Sequence, residues 1–186
     1  YFSDKNRGAI LRLSRDGITE ISLAGMKDYF KDTLKTATSV VGMYDDHNDE
    51  YVVSLQGAEI GLLSNGSYDG YQTLSFDERV KGWTSFYKFN PDFGFTVNKN
   101  FITINGGDLW LHNKEYSITT PKNTFYGITA ESSITFVANT QPSVEKTFHT
   151  INYEGDAGWE MKSSTTDLGM TARPVLPSST AVASEV

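Results

Sequence analysis

The sequence of 186 residues contains no cysteine and has fewer basic than acidic side chains. Without cysteine, disulfide bonds, thiolate nucleophiles and cysteine metal sites are excluded. The 16 lysines and arginines stand against 23 aspartates and glutamates, which gives a net charge of −7. Because a surface that binds phosphates needs clustered basic side chains, this charge argues against nucleic-acid recognition.

Long hydrophobic runs are also missing. No apolar stretch approaches the roughly 20 residues that a membrane-spanning helix needs, and no basic segment followed by an apolar run indicates a signal peptide. We therefore expect a soluble protein without membrane insertion. The chain begins at Tyr1 and ends in a Ser- and Ala-rich stretch, so we expect a fragment of a longer polypeptide.

Residues that favour strands and turns are abundant. Aromatic residues make up 13% of the chain, which also contains 16 glycines, and this composition favours β-structure. Asp16-Gly17 between two apolar segments predicts a hairpin over 9–22, because glycine accepts the positive φ of a tight turn. Apolar runs at 40–44 and 51–55 on either side of an acidic turn predict a second hairpin.

One helix is predicted, over about 25–36. Met26, Tyr29, Phe30 and Leu34 recur there at helical spacing, with charged residues between them. Further strands are predicted at 72–78, 80–89, 94–97, 100–105, 108–113, 124–129, 132–138 and 146–154. The fold class is therefore mainly β, with antiparallel hairpins in a sandwich or propeller-like arrangement and one short helix. We expect a β-rich module over 1–160 and an irregular extension over 161–186.

The acidic turn is the first candidate site. Asp45, Asp46, Asp49 and Glu50 could supply oxygen ligands to calcium or magnesium. Counted from Asp46, the sixth position is Tyr51, where an EF-hand loop needs glycine, so that motif is excluded. An exposed hairpin turn is the favoured interpretation, and a looser divalent-ion site is left open.

The histidines and carboxylates give no catalytic motif. His47, His112 and His149 are far apart and form no H-x-H or H-E-x-x-H pattern, so we expect strand-end or loop positions. Asp77-Glu78 and the acids at 154–156 could serve a glycosidase, with sugar-stacking from Trp83, Trp110 and Trp159. Neighbouring acids on one strand point to opposite faces, however, and cannot form the catalytic pair.

The large aromatic side chains are predicted to be core or subunit-contact residues, since burial stabilises each by roughly 1.5–3 kcal/mol. They are Trp83, Phe86, Phe89, Phe101, Trp110, Phe136 and Phe148. The predicted turn or bulge glycines are Gly82, Gly94, Gly106, Gly107, Gly127 and Gly155. Ile102 and Ile104 alternate with Thr103, as do Ile134, Phe136 and Ala138 with their neighbours, which is typical of strands with one buried face.

Several segments together carry a family resemblance. They are DKNRGAILRLSRDGITEIS (4–22), GMKDYFKDTL (25–34), FDERVKGWTSFY (76–87), NGGDLWLHN (105–113), FYG (125–127) and SITFVANTQPSVEKTFHTINYEG (133–155). The combination resembles the virion structural proteins of tailed bacteriophages, especially T4-like cyanophage structural proteins and the muzzle-type tail proteins of crAss-like phages. The resemblance covers roughly residues 3–160.

That resemblance implies a structural component of a phage particle, in the tail or neck, that is nozzle- or muzzle-like and assembles as a cyclic oligomer against other virion proteins. It implies a location in the virion after assembly in the bacterial cytoplasm. No enzymatic activity, cofactor, or catalytic, cofactor-binding or metal residue is expected. The alternatives are an adhesin or depolymerase acting on host surface glycans, and a capsid-decorating protein.

Overall fold

The computed structural model describes residues 1–63, 65–114, 122–146, 152, 154, 159–165 and 171–172. The chain divides into two compact units, Tyr1–Ile134 and Thr135–Val186. No helix in these described residues is long and apolar enough to cross a membrane. The domain boundary at residue 160 stays a prediction.

The first unit begins with a three-stranded antiparallel sheet and the predicted helix. The sheet has the order β1 (Phe2–Asp4), β2 (Ala9–Ser14), β3 (Gly17–Glu20). A 3-10 turn at Ile21–Leu23 leads to helix α1 (Lys27–Thr36). Ser14 pairs with Gly17, which confirms the hairpin predicted at Asp16-Gly17.

A four-stranded antiparallel sheet follows, and its strand order is its chain order. It contains β4 (Ser39–Asp45), β5 (Glu50–Gln56), β6 (Tyr71–Asp77) and β7 (Gly82–Tyr87). The second predicted hairpin is confirmed, because β4 pairs with β5 along its whole length. The predicted strand 80–89 begins later, at Gly82, because Lys81 adopts a positive φ of 52° in the turn.

A third sheet contains β8 (Phe93–Val97), β9 (Asn100–Asn105) and β10 (Asp108–Leu111), with β9 in the middle. The turn at Gly106-Gly107 has φ values of 61° and 91°, as a primed two-residue hairpin turn requires. β11 (Thr124–Phe125) and β12 (Ile128–Thr129) form a short hairpin. The single strand predicted at 124–129 is therefore wrong, since the chain turns at Tyr126-Gly127 with φ values of 54° and 78°.

In the second unit, β13 (Ser164–Thr165) pairs with β14 (Thr171–Ala172). The strand predicted at 132–138 is not formed. Apolar side chains alternate in this segment, but it pairs with no described strand. Most of the strand predicted at 146–154 lies outside the described residues.

The central four-stranded sheet of the first unit is covered on both faces. On one face, Phe30 and Leu34 of α1 pack in a buried cluster that includes Val53, Leu55 and Leu74. On the other face, a second cluster of Met43, Val52, Phe89 and Phe101 joins it to the β8–β10 sheet. This layered arrangement of antiparallel hairpins with one short helix confirms the predicted mainly-β class.

The aromatic predictions were partly right. Phe89 and Phe101 are buried, and Trp83 packs against the helix side of the core, with its ring 4.6 Å from that of Phe30. A core position is wrong for Phe86 and Phe136, whose side chains are 55% and 70% exposed. Trp110 is half-buried, and Phe148 lies outside the described residues. Subunit contact stays a prediction for the exposed rings.

Some of the glycines predicted at turns or bulges lie in turns, and others do not. Gly106, Gly107 and Gly127 lie in turns, whereas Gly82 begins β7 and Gly155 lies outside the described residues. Gly94 lies inside β8 rather than in a turn. A side chain is excluded at this position, because a Cβ there would lie 2.3 Å from Sδ of Met43. Glycine at this position lets β8 approach β4 closely.

Gly8 gives a test of the contact between α1 and the first sheet. Its φ is +67°, and a Cβ there would lie 2.5 Å from Cα of Lys31. Gly25 has a similar φ of +76° but open space around it. We expect Gly25→Ala to lose about 1 kcal/mol of unfolding free energy through backbone strain alone, and Gly8→Ala to lose about 1–3 kcal/mol more through the clash.

Urea denaturation of the two variants and the parent measures this difference. Equal losses for Gly8→Ala and Gly25→Ala would show that the close approach of α1 to the first sheet is wrong.

Candidate functional site

Three buried carboxylates lie in a row at one end of the central sheet. Asp45, Glu50 and Asp77 occupy adjacent strands in direct register, and paired residues share a face. They are only 4%, 9% and 6% exposed. Like charges opposite each other are destabilising, so each carboxylate needs its own partners.

Asp45 closes the acidic turn. Its Oδ1 accepts the backbone N–H of His47 at 2.9 Å, and its Oδ2 accepts Nδ2 of Asn48 at 2.9 Å and Nδ2 of Asn113 at 2.7 Å. The amide of Asn113 connects the end of the third sheet to this turn. The carboxylate of Asp45 is therefore engaged in fixing local structure.

The other two carboxylates are also engaged. Glu50 accepts hydroxyl hydrogen bonds from Thr84 at 3.2 Å and from Tyr87 at 3.3 Å. Asp77 accepts hydrogen bonds from Nε of Arg79 at 3.1 Å and from Nη2 of Arg79 at 2.7 Å. The side-chain hydrogen bonds from Arg79 are the largest cause that lowers the pKa of Asp77. The row is a satisfied structural network.

The acidic turn therefore differs from its prediction. Asp46 and Asp49 are exposed as expected, but Asp45 and Glu50 are buried because strand pairing continues to the ends of β4 and β5. Among the residues that the structure describes, no three His, Asp or Glu side chains converge to hold a metal ion. A divalent-ion site at this turn gains no support from the geometry.

Asp77 and Glu78, the first carboxylates considered for a glycosidase, do not form a catalytic pair. Glu78 accepts a hydrogen bond from Nη1 of Arg12 in β2, on the side opposite to Asp77, so the two neighbouring acids point apart as predicted. Asp77 is buried against Arg79 and is closed to a substrate. Glu154 is exposed in the second unit, and Asp156 lies outside the described residues.

His112 lies among aromatic rings behind the third sheet. Its ring centroid is 4.8 Å from that of Phe89 and 5.1 Å from that of Phe101. Burial lowers the pKa of His112 to about 4, partly offset by the charge of Asp45, so the imidazole is neutral at pH 7. The expected strand-end or loop positions are confirmed, because His112 directly follows the end of β10 and His47 is exposed in the acidic turn. His149 lies outside the described residues.

The hydroxyl of Thr103 lies 2.7 Å from Nε2 of His112, a geometry that a nucleophile and its base also adopt. Thr103 is 0% exposed, however, and its hydroxyl also lies 2.9 Å from that of Tyr126. A substrate cannot reach this oxygen. The pair is part of the core.

A shallow groove of about 660 Å³ lies between β4 and β8. Its aromatic lining consists of Tyr1, Tyr44, Tyr51 and Phe95, and none of the tryptophans suggested for sugar stacking lines it. The rings of Tyr1 and Tyr51 stack on each other at 4.1 Å, which occupies one face of each ring. The groove is a weak platform for a glycan.

One side of the third sheet carries a row of apolar side chains on each of its three strands. Its pairing aligns Phe93 with Ile104 and Leu109, and Phe95 with Ile102 and Leu111. We call this side the outer apolar face: Phe93, Phe95, Val97, Ile102, Ile104, Leu109 and Leu111. Leu109 is 68% exposed and Phe93 53%. Contiguous apolar surface of this kind marks a site of protein association.

The sequence of β9 has apolar residues on both sides of the strand, and alternation alone does not show which side is buried. The alternation of Ile102 and Ile104 with Thr103 predicted one buried face, and the buried residues of β9 are Phe101 and Thr103. Both sides of β9 thus carry apolar residues, a pattern of a strand covered on both faces. In the described part of the chain, only the inner side of β9 is fully covered.

Two family models match the sequence. The model of the Crassvirus muzzle protein matches residues 1–107, and that of the Crassvirus muzzle protein C-terminal domain matches residues 120–177. No curated protein matches the chain.

The buried imidazole of His112 predicts a specific pH dependence. Its pKa falls from 6.5 to about 4 on folding, so the unfolded chain binds the proton more tightly. Stability is fully present above pH 6.5 and is lost as the pH falls towards 4. Between pH 7 and 4.5 we expect His112→Gln to lose about 2–3 kcal/mol less unfolding free energy than the parent.

Denaturant titrations at several pH values check this difference, since all other titrating groups are common to both proteins. An imidazole that titrates near pH 6.5 by NMR in the folded protein would contradict it.

Proposed function

Because the chain belongs to the Crassvirus muzzle protein family, we propose that it forms part of a ring around the axis of the phage tail or neck. Membership supports the coarser role directly: the chain is a structural protein of the phage particle. We propose in addition that the protein forms a ring, that it lies in the tail or neck, and that it assembles in the host cytoplasm.

The outer apolar face is the observation that supports this proposal most. This face has seven apolar side chains on three paired strands. No charged residue lies on the same face between Phe93 and Val97. Large exposed apolar patches are rare on monomers. A second, smaller apolar pair lies on the first sheet, where Leu13 and Ile18 are directly opposed and 67% and 63% exposed.

Two different apolar surfaces on one chain fit a head-to-tail arrangement. In such a contact, one surface of a copy meets a different surface of the next, and rotation about an axis closes the ring. A single self-complementary patch would give a twofold dimer instead. Neighbouring virion proteins would cover whatever apolar surface the ring leaves exposed.

A structural role also agrees with the chemistry of the described residues. Asp77 is held by Arg79, Thr103 and His112 are buried together, and Asp45 is tied to its turn. These groups stabilise the fold and are closed to substrates. Binding of host glycans in the groove between β4 and β8 is a weaker second candidate, and family membership favours the tail over a capsid-decorating role.

The proposal predicts that purified phage particles contain this polypeptide in a fixed copy number. Quantitative mass spectrometry and an electron cryomicroscopy reconstruction should place the copies around the tail axis in a multiple of its cyclic symmetry. Absence from the particle, or copies scattered over the capsid, would refute the proposed position. Release of reducing ends from host polysaccharide that a single carboxylate substitution abolishes would establish the enzymatic alternative.

A further inference from the structure

Strand β10 leaves one edge of the third sheet open. It pairs with β9 on one side and is the terminal strand of that sheet, with no partner on its other side in the described part of the chain. An open edge presents unpaired N–H and C=O groups that can accept another strand. Leu109 and Leu111 of β10 extend the outer apolar face up to this edge.

Trp110, between these leucines, shows a second deficiency at the same edge. Its indole Nε1 is buried but has no hydrogen-bond partner among the described residues. Buried donors without partners are uncommon and costly. Trp110 points to the side of β10 opposite to Leu109 and Leu111. In the described part of the chain, β10 therefore has one unpaired edge, and its tryptophan has an indole N–H without a partner.

The segment 132–138 has the complementary properties. Ile134 and Phe136 alternate with Ser133 and Thr135, as in a strand with one apolar side. The segment pairs with no described strand, and Ile134 and Phe136 are 73% and 70% exposed. It has the side-chain pattern of a strand and lacks only a partner.

We propose that the segment 132–138 of one copy adds to the open edge of β10 in a neighbouring copy, as a fourth strand of its third sheet. Ile134 and Phe136 then continue the apolar rows that end at Leu109 and Leu111. Ser133 and Thr135 then fall on the Trp110 side of the sheet. Backbone hydrogen bonds supply affinity, and the alternating side chains supply specificity.

A second copy is the occupant that these observations favour. Among the described residues of its own chain the segment is unpaired and exposed, and we assign its partner to another chain. Donor segment and acceptor edge are different surfaces, so each copy gives one strand and receives one. This exchange is the head-to-tail contact that a ring requires, and the inference thus rests on the proposed function.

The absence of cysteine from the parent chain makes a direct cross-linking test possible. Two single-cysteine variants, Leu109→Cys and Phe136→Cys, are mixed and oxidised by air, with Ile134→Cys as a second donor position. We expect a disulfide-linked pair of chains on non-reducing gels, at least tenfold more abundant than with Leu62→Cys in place of Leu109→Cys. Leu62 is as exposed as Leu109, at 68%, but lies in the connection between β5 and β6.

A chain that carries both Leu109→Cys and Phe136→Cys separates exchange from folding back. Disulfide-linked pairs of chains as the main product support the exchange. A disulfide within one chain as the main product would overturn the assignment to a second copy. Yields no higher than those of the Leu62→Cys control would overturn strand addition.

A peptide of residues 131–140 gives an independent measurement. We expect it to bind the protein, and binding to weaken at least tenfold with Leu109→Lys, measured by fluorescence anisotropy. Circular dichroism checks that this variant folds. The peptide with Ile134→Asp and Phe136→Asp tests the same contact on the unmodified protein, and binding equal to that of the parent peptide would overturn the proposal.

The two proposals fail in different ways. Particles that contain the chain in a ring but give no cross-link between positions 109 and 136 would overturn strand exchange alone. In that case a different surface or another virion protein covers the open edge. Particles that lack the chain would overturn the proposed function itself.

Discussion

Strand β5 lies inside the central sheet, and six of its seven residues are buried. Its odd-numbered residues face the helix, and its even-numbered ones face the third sheet. Burial on both sides requires two covering layers, so the positions of α1 and of β8–β10 both follow from this strand. Because the third sheet must supply one covering face, its remaining face is turned outward.

The same constraint accounts for the polar network at the end of the sheet. Strand pairing carries Asp45, Glu50 and Asp77 out of water in one row. Buried charges are tolerated only with hydrogen-bond partners, which the turn amides, two hydroxyls and Arg79 supply. An acidic cluster that looks like a cation site in the sequence thus serves the fold.

Local signals in the sequence predicted local structure well. Asp16-Gly17, Gly106-Gly107 and the spacing around Phe30 gave correct turns and the correct helix, because those preferences belong to a few neighbouring residues. Alternation could not tell which side of β9 is buried, and it predicted a strand at 132–138 that has no partner in the described chain. Both errors concern layers and partners, which depend on residues distant in the chain.

The connectivity of the sheets has a consequence for the order of folding. In the described part of the chain, every strand pairs only with strands next to it in the sequence, and most of these pairs close over a short turn, the connection over 57–70 between β5 and β6 being the exception. Short-range pairing favours rapid folding. The hydrogen bond from Trp83 Nε1 to the carbonyl of Ile21 spans 62 residues, and we expect it to form later than the hairpins. A chain of this kind can fold piece by piece while the ribosome is still extending it.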